Sequence, residues 1–143
     1  MKRYVQLVFL CLAVFLGSSC FLSDKVEAAK KIVWTTTNLY YELNSEGTPE
    51  DVLVIEGYFT NNTNKYINYF YELNLKATIR ADIGAGYTGQ VNGTFRNFEK
   101  MIEPYSNSSN HKFRVKNAQI IWPVEEYEVT QGLTKWKQSN AAG

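Results

Sequence analysis

Between positions 69 and 83 the chain alternates almost without interruption. Tyr69, Tyr71, Leu73, Leu75, Ala77, Ile79, Ala81 and Ile83 fall on one side, and Glu72, Asn74, Lys76, Thr78, Arg80 and Asp82 on the other, with Phe70 the apolar exception. A period of two marks a strand with one buried and one wet face, whereas a helix would scatter these residues around its axis. The run is long for one strand, so a bend or a bulge is expected within it. A second strand is predicted over 52–60. Leu53, Ile55, Gly57 and Phe59 share one face, and Val52, Val54 and Tyr58 make the other face apolar as well, which predicts a central strand covered on both sides. Thr60-Asn61-Asn62-Thr63-Asn64-Lys65 between them predicts a turn, because Asn tolerates positive φ and bonds its own backbone.

The remaining strands are less regular. One is predicted over 32–43, ending at Asn44-Ser45-Glu46-Gly47-Thr48-Pro49, and a weaker one over 89–98 around Val91 and Phe95. Gly84-Ala85-Gly86 opens a loop, and 101–110 is a connection marked by Pro104 and a Ser/Asn cluster. Over 111–122, Phe113 and Val115 alternate with Lys112, Arg114 and Lys116, and the phase shifts after Asn117, where a bulge is expected. A last strand over 125–130 turns Tyr127 and Val129 inward, and 135–143 reads as a tail whose start Trp136 tethers. About six short strands with turn signals between them predict an all-β fold, a single antiparallel sandwich spanning 30–134, with a small closed barrel as the alternative.

The N-terminus changes the setting of this domain. Lys2 and Arg3 precede an apolar run over 5–22, followed by Val26-Glu27-Ala28-Ala29. A charged start, an apolar middle and small residues at the −3 and −1 positions form a signal peptide over 1–29, with cleavage between Ala28 and Ala29. Two other readings remain open. Leu16-Gly17-Ser18-Ser19-Cys20 approaches a lipobox, which makes Cys20 a candidate for lipidation. The run over 5–22 also stands at the lower limit for an uncleaved membrane anchor. Cys11 and Cys20 are the only cysteines, so the domain beyond the leader has no thiol, disulfide or cysteine metal ligand, and its core alone must hold it. Fifteen Lys and Arg stand against fourteen Asp and Glu. With Lys2, Arg3, Lys25, Asp24 and Glu27 removed the charges balance, which leaves no field to hold nucleic acid or an anionic membrane.

Candidate chemistry is sparse. His111 is the single histidine and lies at the start of a strand. Glu126 and Glu128 share one side of the last strand, as a Ca²⁺-binding or acid–base pair would, but a solvated strand face is the favoured explanation. Gly84-x-Gly86-x-x-Gly89 has the spacing of a dinucleotide fingerprint but precedes a strand, so the helix N-terminus that should hold phosphates is missing. Asn-x-Ser/Thr sequons begin at Asn61, Asn92 and Asn107; they would mark surface loops in a eukaryotic secreted protein, but an Asn-rich chain produces such matches by chance. Aromatics, at 15% of the chain, are the feature able to carry binding. Trp34, Tyr58 and Trp122, with Tyr40, Tyr66 and Phe70, fall off the clean apolar stripes and are the candidate platforms for a sugar or a partner. A second buried layer is the competing explanation.

Gly57-Tyr58-Phe59-Thr60-Asn61-Asn62-Thr63, then Ile67, Leu73 and Leu75, then Ile102-x-Pro104-x-Ser106 and Phe113-x-Val115, form a sparse pattern across 52–115. It resembles small exported modules of Firmicutes-type bacteria, the S-layer-associated (SLAP) domains and the FxLYD-type β-sandwich domains. The chain departs from that pattern where Ala81-Asp82-Ile83-Gly84 replaces an aromatic-Asp turn and where Asn110-His111 replaces an aromatic. The resemblance implies an Ig-like sandwich and an envelope location, and supplies no catalytic residues. The combined expectation is an exported, non-enzymatic envelope protein that binds another envelope protein or a wall polymer. It needs no cofactor or metal, and meets a membrane only if Cys20 is lipidated. A glycan-binding module and an enzyme built on His111, Glu126 and Glu128 are the alternatives.

Overall fold

The computed structural model describes residues 31–140. The signal peptide, the Ala28–Ala29 cleavage pair and Cys20 lie outside the described residues. Seven strands run in chain order: β1 (Ile32–Leu43), β2 (Pro49–Asn61), β3 (Tyr66–Ala81), β4 (Tyr87–Ile102), β5 (Ser106–Asn107), β6 (His111–Lys116) and β7 (Val124–Ser139). They form two antiparallel sheets. In one, β2 lies between β1 and the pair β5 and β6; in the other, β3 lies between β4 and β7. The chain crosses between sheets from β2 to β3, back from β4 to β5 and β6, and again to β7. This all-β sandwich follows the strand neighbours of an immunoglobulin-type fold.

The turns form where local hydrogen bonding dictates. Asn44 Oδ1 accepts from the amides of Glu46 and Thr48 at 2.9 and 3.0 Å, closing the β1–β2 turn. Gly84 and Gly86 hold φ of 55° and 93° in the β3–β4 turn, which is a loop entering a strand, as expected. Asn61 is fully buried at the end of β2. Its Nδ2 donates to the carbonyls of Lys65, Glu103 and Ile102 at 2.7, 3.0 and 3.3 Å, and its Oδ1 accepts from Thr63 N and Thr63 Oγ1. One amide therefore fastens the β2–β3 turn to the end of β4. Of the three sequon asparagines, Asn61 is inside, while Asn92 and Asn107 are exposed on β4 and β5.

The core lies between the sheets, where an aromatic cluster sits among a majority of Ile, Leu, Val and Ala side chains. Phe59 of β2 stacks on Phe70 of β3 at 4.5 Å, Phe70 on Phe98 of β4 at 5.0 Å, and Phe113 of β6 on Phe95 of β4 at 4.3 Å. Trp34 fits edge-on between Phe59 and Phe113 at 4.9 and 5.2 Å. Pairs of this kind each add about 0.5–1.5 kcal/mol beyond the burial of their area.

The bulge expected in the long strand is present, and it reverses the expected faces of Tyr69, Phe70 and Tyr71. Leu73, Leu75, Ala77, Ile79 and Ala81 are all buried, as the alternation requires. Before them the phase slips, so that Ile67 and Phe70 point inward while Tyr71 is 46% exposed. The register shifts between Ile67 and Tyr69 against β4, and again between Phe70 and Glu72 against β7. Strand β4 slips at the same level. Tyr71 and Asn97 lie between the pairs Phe70–Phe98 and Glu72–Arg96, and Asn97 takes φ 55°. Phe95 and Phe98, three residues apart, can then both pack against the core.

Four further features differ from expectation. Strand β6 stops at Lys116, so no strand continues past Asn117 to Trp122. Strand β3 ends at Ala81, leaving Ile83 55% exposed in the turn. The presumed tail is sheet as far as Ser139, because Trp136 pairs opposite Phe70 and packs against the core. On β2, Val54 is fully buried on the outer side as well, whereas Val52 and Tyr58 are half-buried. Ile32 pairs with Asn61 and Ser139 with Tyr66, so both ends of the described chain leave from the Asn61 end.

Asn61→Ala is expected to lower stability by about 3 kcal/mol, since it strands buried backbone groups without partners. Asn64→Ala, exposed in the same turn, should stay within about 0.5 kcal/mol. Urea unfolding followed by tryptophan fluorescence measures both.

Candidate binding face

The wet side of the β3 alternation becomes the outer face of the β4-β3-β7 sheet. Three open clefts follow one another along it. The first, of about 730 Å³, is lined by Asn68, Tyr69, Tyr71, Glu99, Lys100, Met101 and Lys137. The second, of about 410 Å³, lies over Asn74, Lys76, Asn92, Thr94, Thr130 and Gly132. The third, of about 170 Å³, is bounded by Thr78, Arg80, Thr88, Glu126, Tyr127 and Glu128. The cross-strand pairs Asn74–Thr94, Lys76–Asn92, Thr78–Glu128 and Arg80–Glu126 place these residues in sequence down the sheet.

The first cleft owes its aromatic wall to the phase slip. Tyr69 and Tyr71 meet edge to face, with ring centroids 5.2 Å apart and planes at 69°. An ion pair between Arg96 and Glu72, at 3.6 Å, lies between the first cleft and the second. Within the second, Asn74 Oδ1 has no hydrogen-bond partner. The sequence placed Tyr69 and Tyr71 on the buried side. The spacing Ile67, Phe70, Leu73 was the available signal that the phase changes there.

The aromatics selected from the sequence go to separate places. Trp34 is corrected: it is 7% exposed and packed in the core, with Nε1 donating to Thr36 Oγ1 at 2.7 Å. A register shift between Thr36 and Asn38 puts Ile32 and Trp34 before the bulge, and Leu39 and Tyr41 after it, on the same inner side. Phe70 is likewise buried. Tyr58 is half-buried on the outer side of β2, opposite Thr35. Trp122 is 39% exposed in the connection between β6 and β7. That connection is held by Tyr41, whose hydroxyl donates to Gln119 O at 2.6 Å and accepts from Ile121 N at 3.1 Å. Burial pushes the Tyr41 phenol above its ordinary pKa. Trp34, Tyr58 and Trp122 therefore do not form one surface.

The carboxylates and the histidine are also apart. Glu126 and Glu128 share a side, as the alternation implied, opposite Arg80 and Thr78 of β3. His111 belongs to the other sheet, opposite Gly57. Its ring lies 4.3 Å from that of Phe113 and 5.7 Å from that of Phe98. Lys100 Nζ donates nearby to Ser109 Oγ and the Asn110 carbonyl. Burial lowers the His111 pKa and the Lys100 charge lowers it further; burial also lowers that of Lys100. Among the described residues no three His, Cys, Asp or Glu side chains gather as metal ligands would.

No protein-family model matches the chain, and no curated protein or solved structure matches it either.

The lowered His111 pKa has a sign. The unfolded chain takes up a proton before the folded one, so this contribution to stability is complete above the ordinary histidine value of about 6.5 and is lost as the pH falls below it. The melting temperature should fall on acidification from about pH 7.5 to 5.5. His111→Phe, which keeps the ring contacts, should reduce that slope in thermal melts followed by circular dichroism.

Proposed function

We propose that this chain is an exported, non-enzymatic binding domain of a bacterial cell envelope, and that it engages an envelope protein or a wall polymer through the outer face of the β4-β3-β7 sheet. The observation that carries this reading is the Tyr69–Tyr71 pair on the wall of an open cleft of about 730 Å³. Two large rings held at an uncovered surface are what a recognition face uses, since each buries much area when a ligand covers it. Mixed acidic and basic residues surround them, which suits a specific, uncharged contact better than capture of a polyanion. Export is supported by Lys2 and Arg3, the apolar run over 5–22 and the small residues Val26 and Ala28.

The test uses the full chain expressed in an exporting bacterial host. The protein recovered should begin at Ala29, or at acylated Cys20 for the lipoprotein alternative, by intact mass. It should co-sediment with isolated cell walls or cross-link to an envelope protein. A protein that keeps Met1 in the cytosol overturns export. Retention by neither walls nor envelope proteins overturns the binding reading, and hydrolysis of wall glycan or peptide above background overturns its non-enzymatic part.

A further inference from the structure

We infer that the three clefts along β3 form one subsite series for an extended, uncharged polysaccharide strand, with a sugar ring laid on Tyr71. This rests on the reading of that face as the binding surface and specifies its ligand. Four observations lead to it.

The first is the state of the tyrosine. Tyr71 is 46% exposed, and Tyr69 meets it edge to face at 5.2 Å. A ring restrained in this way loses little freedom when a flat apolar ligand surface covers it. The C–H face of a pyranose is such a surface, and the sugar's hydroxyls point sideways toward the strands.

The second is what those hydroxyls would meet. Asn74, Asn92, Thr94 and Thr130 line the second cleft, and Thr78 and Thr88 the third. Short amides and hydroxyls both donate and accept, as sugar hydroxyls require.

The third is charge. Glu99 and Lys137 line the first cleft together, Glu72 pairs with Arg96 beside it, and Arg80 faces Glu126 and Glu128 in the third. Lys100 of the first cleft and Lys76 of the second add further positive charge, but both signs are interspersed along the face, so it carries no field of one sign to attract a polyanion or a polycation.

The fourth is shape. The distance from Tyr69 to Arg80 along the strand is about 35 Å at ~3.3 Å per residue, too long for a single sugar and suited to a chain. The face offers side chains only. A peptide seeking backbone partners would pair along a sheet edge instead.

The experiment is isothermal titration of the exported full-length protein with soluble β-linked oligosaccharides of glucose and of N-acetylglucosamine, long enough to span the clefts. At least one neutral series is expected to bind, with affinity nearly unchanged between about 50 and 500 mM salt, because no ion pairing contributes. Tyr71→Ala should weaken binding at least about tenfold, the equivalent of ~1.4 kcal/mol. Tyr71→Phe should hold within about twofold, since the ring and not its hydroxyl is used. Tyr105→Asn, at a 72% exposed position of φ 52° away from the clefts, should bind as the native chain does. The inference falls if no neutral oligosaccharide binds, if Tyr71→Ala binds like the native protein, or if only polygalacturonate binds and high salt abolishes it. Co-sedimentation of the same samples with cell walls separates the two readings. Walls or envelope proteins that retain the chain while the neutral sugars fail overturn this inference alone. Failure of both overturns the broader proposal as well.

Discussion

The rest of the molecule depends on how the phenylalanines are brought together between the sheets. The described domain contains no cysteine, so the sheets are joined by packing, and the closest ring contacts between them are Phe59 on Phe70 and Phe113 on Phe95. To supply Phe70, Phe98 and Phe95 to one interior, β3 and β4 must each slip by a residue at the same level. That slip leaves Tyr71 and Asn97 between paired positions, with Tyr71 turned out. The exposed tyrosine is thus a by-product of the buried ones. Core and surface are set by one backbone irregularity, of a kind found next to binding sites in many sheets.

Two side-chain amides complete what the strands leave unfinished. Asn61 satisfies carbonyls where the β2–β3 turn meets the end of β4. Gln131 of β7 reaches across to the other sheet, accepting from Trp34 N at 2.8 Å and donating to Ile32 O at 2.9 Å. These are outward-pointing groups of β1, an edge strand whose unpaired backbone would otherwise invite another chain. The β1 irregularity also explains Gly57: a Cβ there would lie 2.0 Å from the Thr35 carbonyl oxygen. Only glycine lets β1 and β2 approach at that point.

Much of this architecture was legible from spacing. The alternation from Leu73 to Ala81, the inward set Leu53, Ile55 and Phe59, the Phe113 strand and the Asn- and Gly-rich turns all follow from period two and turn chemistry. Where the reading failed, it failed at phase slips and at an edge. A single inserted residue exchanges inside for outside in everything beyond it, which misplaced Tyr69 and Tyr71. A bulge in β1 restores Trp34 and Tyr41 to one side, and local alternation does not reveal it. Residues 135–139 looked like a tail because Lys135, Lys137 and Gln138 surround Trp136, although charge beside a buried aromatic is how an edge strand is kept from aggregating. The candidate face was legible only in its polar half. Asn74, Lys76, Thr78 and Arg80 were placed outside, whereas its aromatic wall depended on the slip.

Because Ile32 pairs with Asn61 and Ser139 with Tyr66, whatever joins the chain at either terminus is attached at one pole of the sandwich. The clefts run along β3 away from that pole, with Tyr69, Tyr71 and Lys137 nearest to it and Arg80, Glu126 and Glu128 farthest. A polymer bound there as proposed would lie lengthwise to any pull applied at that pole. Load on it would therefore be resisted in shear by many contacts at once, and would not peel them apart one at a time.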